Sequence, residues 1–146
     1  MDTCIFCKIA ARQANSHVIF EDADIMAFLD LGQIRPGHTQ IIPKEHVPYF
    51  DDLSPELSGK ILALGQRLAK IMKRIYSVPR VGFCFTGGDI AHAHAHVVPM
   101  HEKTDITSAR YIAERNVTFQ DLPRTPDADL YKCASILREE LDANER

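Results

Sequence analysis

Residues 92–98 read His-Ala-His-Ala-His-Val-Val, three histidines alternating with small apolar residues. In an extended strand successive side chains point to opposite faces. The three imidazoles then share one face, with neighbours about 6.5–7 Å apart, while Ala93, Ala95 and Val97 form a core-facing row. Neutral imidazole near pH 7 is a nucleophile, a general base or a metal ligand. Taken alone, the row is compatible with metal binding, with catalysis or with a solvated face.

Cys4 and Cys7 form a second constellation. Cys-x-x-Cys is the spacing of a zinc half-site or of a redox dithiol. A redox role is expected beside a thioredoxin-like βαβ pattern, which is absent from this sequence. Cys84 and Cys133 have no partner pattern and read as core residues.

The elements that must carry these residues follow from periodicity. Residues 4–12 form a short helix bearing the Cys-x-x-Cys. Val18–Phe20 and Ile25–Leu29 read as strands around an acidic turn, and 32–37 as a loop. Thr39–Ile42 is a strand stopped by Pro43. Ser54 caps a long helix with Pro55 at its first position and Glu56 in its first turn. Leu57, Ile61, Leu64, Leu68, Ile71 and Ile75 recur as one apolar stripe until Val78-Pro79. Val81–Phe85 is a strand, Gly87-Gly88 a turn, and Ala91–Val98 the histidine strand. Thr125-Pro126 opens a last helix, with Leu130, Cys133, Ala134, Leu137 and Leu141 on one side. Residues 101–125 carry no clear pattern. Strands, one long helix, then more strands predict an α+β fold.

The chain has 146 residues, 45% hydrophobic and 25% charged, which predicts one domain, 1–146, with a full core. Net charge is −3, from 17 basic and 20 acidic residues, with no basic run. A duplex nucleic-acid partner is therefore not expected. The apolar runs are too short to span a membrane. A Cys-x-x-Cys where a leader would have its apolar stretch predicts no secretory leader and a cytoplasmic location, with cysteines reduced or metal-bound.

The three histidines are accompanied by Cys4-Ile5-Phe6-Cys7-Lys8-Ile9, by Ala27-Phe28-Leu29-Asp30-Leu31, and by Pro36-Gly37-His38-Thr39-Gln40-Ile41-Ile42-Pro43-Lys44-Glu45-His46-Val47. In order and spacing these blocks, over residues 4–100, resemble the histidine-triad (HIT) superfamily of nucleotide hydrolases and transferases. Within it they resemble the zinc-containing, bacterial-type Hint-like branch. The resemblance implies an antiparallel sheet of about five strands, one long helix packed across it, a C-terminal helix, and a homodimer. It implies His94 as nucleophile toward the α-phosphorus of a purine nucleotide, giving a nucleotidyl-histidine that water resolves. One His94 nitrogen would donate to a backbone carbonyl of the triad strand. His96 and His38 would support the phosphate, and Asp30 would accept from the ribose hydroxyls. Phe6, Ile9, Phe28 and Leu31 would pack the base. Cys4, Cys7, His46 and His92 would hold a structural zinc ion.

Some positions depart from the family pattern. Gly88 and Asp89 stand where relatives carry glutamine and often a hydroxyl, placing a carboxylate toward the leaving-group side. Phe85-Thr86 stands where asparagine is common, Met100 where arginine is, and Gln40 where an apolar base contact is. Nucleoside phosphoramidates are the first expected substrates and dinucleoside polyphosphates the second. The alternative is a zinc-stabilised nucleotide-binding module with weak or no catalysis.

Overall fold

A computed structural model describes residues 4–106 and 122–143. Helix α1 (Ile5–Ala10) leads into strands β1 (Val18–Glu21), β2 (Ile25–Leu29) and β3 (Thr39–Pro43). A short 3-10 helix (Phe50–Asp52) precedes α2 (Pro55–Ile75). Strands β4 (Arg80–Phe85) and β5 (Ala95–Met100) follow, then α3 (Asp127–Ala143). The strands form one antiparallel sheet in the order β1-β2-β3-β5-β4.

Each element has a local cause. Ser54 accepts from the Leu57 N–H, and Pro55 occupies the first turn of α2. These are the residues that start a helix with least loss, since proline lacks an N–H that would be orphaned there. The α2 stripe buries Ile61, Leu64, Leu68 and Ile71 against the sheet. Helix α3 buries Leu130, Ala134, Leu137 and Leu141 on the same face. The other face of the sheet carries a smaller cluster, in which Phe6 and Ile9 of α1 pack on Met26, Phe28 and Ile42. Two helices thus cover one face, and the short α1 covers part of the other. No helix of the described residues is long and apolar enough to cross a membrane.

Most expected elements occur within a residue or two of the expected bounds. The histidine strand differs. Ladder pairing begins at Ala95 rather than Ala91, so only His96 of the three histidines lies in a strand. The β3–β5 register runs Thr39↔Val97, Gln40↔His96 and Ile41↔Ala95. Two residues further, β3 reaches Pro43, which has no N–H to give. The chain leaves the ladder there, and the Ala93 N–H donates instead to the Val47 carbonyl. Alternation of faces nevertheless persists. Ala93, Ala95 and Val97 join the helix-side core, and the His94 and His96 rings stand 5.1 Å apart on the other side.

The loop into β3 sets His38. Gly37 has φ +97°, and a Cβ there would lie 2.6 Å from the Tyr76 ring. Both the conformation and the space call for glycine. Tyr76 is itself held by the Cys133 thiol at 3.0 Å. Gly37→Ala should therefore destabilise the chain by about 1–3 kcal/mol, measured by denaturant unfolding. Unchanged stability would show that Tyr76 yields freely.

Candidate active site and metal cluster

The site lies on the α1 face of the sheet. His94 is 6% exposed. Its Nδ1 is 2.7 Å from the His92 carbonyl oxygen. A carbonyl only accepts, so Nδ1 carries the ring proton and Nε2 keeps its lone pair. The ring is fixed between Phe6 and His96, each with its centroid at 5.1 Å.

His96 and His38 are ordered by a chain of hydrogen bonds. The Ile34 N–H donates to His38 Nδ1 at 3.3 Å, which leaves the His38 proton on Nε2. That proton faces His96 Nδ1 at 2.9 Å. His96 then carries its own proton on Nε2, 3.4 Å from the Thr86 hydroxyl. Both histidines are therefore neutral donors of defined tautomer. Burial pushes His38 down to about 4, with the Asp30 carboxylate opposing and His96 adding to the shift. Burial also lowers His96, followed by the influence of His94, with Asp30 again opposing.

Asp30 ends β2. One of its oxygens accepts from the Gly32 N–H and the other from the Gln40 amide. Gln40 pairs in register with Phe28 on one side and His96 on the other, so it lies between the aromatic floor and the triad. A cavity of about 180 Å³ is lined by Phe6, Ile9, Phe28, Leu31, Asp30 and Gln40, together with Asn15 and Ser16. The structure thus gathers the four expected base contacts and the expected ribose carboxylate around one cavity. Asp89 is exposed and lines neither this cavity nor the one beside His94. From the same turn it is Thr86 and Gly87 that reach His94's cavity. Sequence reasoning did not single out Asn15, Ser16, Tyr49, Phe50 or Asp51, which also face the two cavities. The consecutive aromatics Tyr49 and Phe50 after Pro48 were the available signal.

Cys4, Cys7, His46 and His92 bring their ligand atoms within 4.8 Å of one another. The Cys4 sulfur is 3.5 Å from His92 Nδ1. The Cys7 sulfur is 3.2 Å from His46 Nδ1 and 3.5 Å from His92 Nδ1. A tetrahedral zinc ion with ordinary bond lengths separates sulfur and nitrogen ligands by about 3.5 Å. The donor set and its spacing fit such an ion. His92 is fully buried, and its Nε2 donates to the Pro43 carbonyl at 2.9 Å, which aims an unprotonated Nδ1 at the two sulfurs. Burial holds His92 below its usual pKa, against that hydrogen bond. Desolvation and the neighbouring Cys4 raise the Cys7 thiol.

Asp30, His38 and His96 also cluster closely enough to suggest a metal. Two imidazole nitrogens on one tetrahedral ion stand about 3.3 Å apart, whereas His38 and His96 meet at 2.9 Å. Together with the Ile34 bond, that distance identifies a direct hydrogen bond.

The HIT domain family matches residues 11–103. An uncharacterised HIT-like protein of Borreliella burgdorferi is 32% identical over 109 residues, 68% of this chain and 76% of its own. The adenosine 5'-monophosphoramidase hnt1 of Schizosaccharomyces pombe is 34% identical over 98 residues, 66% of this chain and 74% of its own. The crystal structure of a zinc-bound histidine triad family protein from Mycobacterium smegmatis superposes with a TM-score of 0.74 at 26% identity. The match covers 99% of this chain and 96% of that one.

The depressed His38 has a stability consequence. In the unfolded chain His38 binds its proton at its ordinary value of about 6.5, and in the folded chain only near 4. Its contribution is complete above about pH 6.5 and is lost as pH falls toward 4, because the unfolded state then binds more protons. Ring NMR titration should give a His38 midpoint near 4, with unfolding free energy falling over that window. An ordinary midpoint near 6.5 would contradict the buried, neutral His38.

Proposed function

Starting from the fact that the chain belongs to the HIT domain family, we propose that it is a nucleotide hydrolase or transferase. It acts at the α-phosphate of purine nucleoside phosphoramidates first, and of dinucleoside polyphosphates second. The observation that carries this reading is His94, whose Nδ1–H is tied to the His92 carbonyl so that Nε2 is free to attack.

The chemistry follows from that arrangement. The nucleoside sits in the Phe6, Ile9, Phe28 and Leu31 cavity, with ribose hydroxyls donating to Asp30. His94 Nε2 attacks the α-phosphorus, the phosphorus–nitrogen bond of the phosphoramidate breaks, and the departing amine nitrogen takes one proton from solvent. The imidazolium formed on His94 is stabilised by its bond to the His92 carbonyl. The His96 Nε2–H, held there by His38, donates to a phosphoryl oxygen as charge builds. Water then attacks the nucleotidyl-His94, the electron pair returns to Nε2, and the water's surplus proton returns to solvent. The products are the free amine and the nucleoside monophosphate.

Zinc bound by Cys4, Cys7, His46 and His92 would be structural, joining α1 to the segment before β5. The S. pombe monophosphoramidase and the zinc-bound M. smegmatis structure support the substrate class and the ion. A reducing cytoplasm suits the four free cysteines. A homodimer suits β4, which lies at a sheet edge and leaves Val81 and Phe83 half-buried.

His94→Ala should lower kcat for adenosine 5'-phosphoramidate by at least about 1,000-fold, with nucleoside monophosphate affinity within about threefold by calorimetry. A loss of less than about tenfold, 1.4 kcal/mol of barrier, would exclude His94 as nucleophile.

Purified protein should hold one tetrahedral metal ion per chain by elemental analysis, chiefly zinc. Cys7→Ser should lose it and melt several degrees lower. Metal-free protein in which Cys4 and Cys7 form a disulfide would contradict the cluster.

A further inference from the structure

His94 stands between two cavities. One of its ring neighbours is Phe6, a wall of the nucleoside cavity. The other cavity, about 150 Å³, is lined by His94 itself together with Thr86, Tyr49, Phe50, Asp51 and Phe85. Nothing in the nucleotide chemistry above uses it, yet it opens directly on the reacting nitrogen's residue. Because the nucleoside occupies the first cavity, the group that leaves the α-phosphorus has the second one to enter.

The lining states what that group is. Tyr49 and Phe50 are 47% and 59% exposed, and the Phe50 and Phe85 rings lie 5.8 Å apart at 30°. Aromatic side chains left in water beside a nucleophile form a ready stacking surface. An apolar cavity of about 150 Å³ is large enough for benzene. Asp51 supplies a carboxylate, and among the described residues no lysine or arginine lines the cavity. A polyphosphate is ordinarily gripped by lysine or arginine and would here meet like charge. An amine is attracted by both the carboxylate and the aromatic faces.

Resting on the nucleotidyl-transfer reading, we propose that the cavity of Tyr49, Phe50 and Phe85 is the leaving-group subsite and that it selects amines bearing an aromatic ring. The acidic residue that sets this preference is Asp51. Thr86 forms the other wall and connects the subsite to the triad through His96.

The test compares kcat/KM for adenosine 5'-phosphoramidates of benzylamine and of methylamine, and for diadenosine triphosphate, in wild type, Phe50→Ala and Asp51→Asn. Wild type should favour benzylamine over methylamine by about tenfold, the size of one good stacking contact. Phe50→Ala should bring that ratio to within about threefold of unity. Asp51→Asn should narrow the gap between the phosphoramidates and the dinucleotide. Free benzylamine added with adenosine monophosphate should shift the ring NMR signals of Tyr49 and Phe50.

A wild-type ratio near one, or a ratio unaltered in Phe50→Ala, overturns the proposal. So does a Phe50→Ala protein that turns from dimer to monomer by light scattering with both phosphoramidates falling alike, since a second copy would then cover these rings. Ring shifts on amine binding without turnover of any substrate would overturn the hydrolase reading and the leaving-group role with it, leaving an aromatic-amine binding cavity. Turnover without ring shifts or preference would overturn the subsite alone.

Discussion

The site depends on the His92 carbonyl, which accepts the His94 Nδ1–H at 2.7 Å. That bond fixes a tautomer, and the tautomer decides which nitrogen is nucleophilic. The carbonyl stays in place because its own side chain is held twice, by the Pro43 carbonyl and by the two cysteine sulfurs. His92 therefore belongs to both constellations seen in the sequence. Its ring faces the cysteines, and its backbone carbonyl faces His94.

This explains how a segment outside the sheet is positioned as firmly as a strand. Pro43 ends the ladder with β3, so residues 92–94 lack the pairing that would set their register. Cys4 and Cys7 on the α1 segment, His46 beyond β3, and the Ala93–Val47 bond hold that segment instead. Phe6 joins the arrangement, meeting both the His92 ring at 5.8 Å and the His94 ring at 5.1 Å while lining the cavity it shares with Phe28 and Asp30. A disturbance at the cysteines therefore reaches Phe6 and His94 by direct contact through His92. The supporting histidines are oriented independently, by a chain that starts at a backbone N–H in the Gly37 loop and ends at Thr86.

Much of this was legible in the sequence because it is local. Ser54-Pro55 announces the start of α2, and the four-and-three spacing of Ile61, Leu64, Leu68 and Ile71 announces its buried face. The alternation of histidine and alanine separates the helix-side core row of Ala93, Ala95 and Val97 from the opposite face, since a period of two survives even where the ladder does not. The start of β5 was not legible, because it depends on which partner residue happens to be a proline. Gln40 read as an anomaly at an apolar position. Its bond to Asp30 becomes visible only when β2 and β3 are side by side. The aromatic wall was legible only in part: Tyr49-Phe50 after Pro48 gave a local signal, but apolar residues ordinarily signal core, and Phe85 joins them from a distant part of the chain. Asp89, the carboxylate that the sequence suggested beside the leaving group, is exposed, while Asp51 lines that cavity.

The central claim is that His94 Nε2 becomes covalently bonded to the nucleotide. Acid quenching during turnover of an adenosine phosphoramidate, followed by intact-protein and peptide mass spectrometry, tests it most directly. A fraction of the protein should gain the mass of one adenylyl group, mapped to the peptide segment at His94. The adduct should decay when substrate is exhausted. Protein that stays unmodified throughout turnover even with rapid quenching, or that carries the group on His96 or His38, would contradict the account.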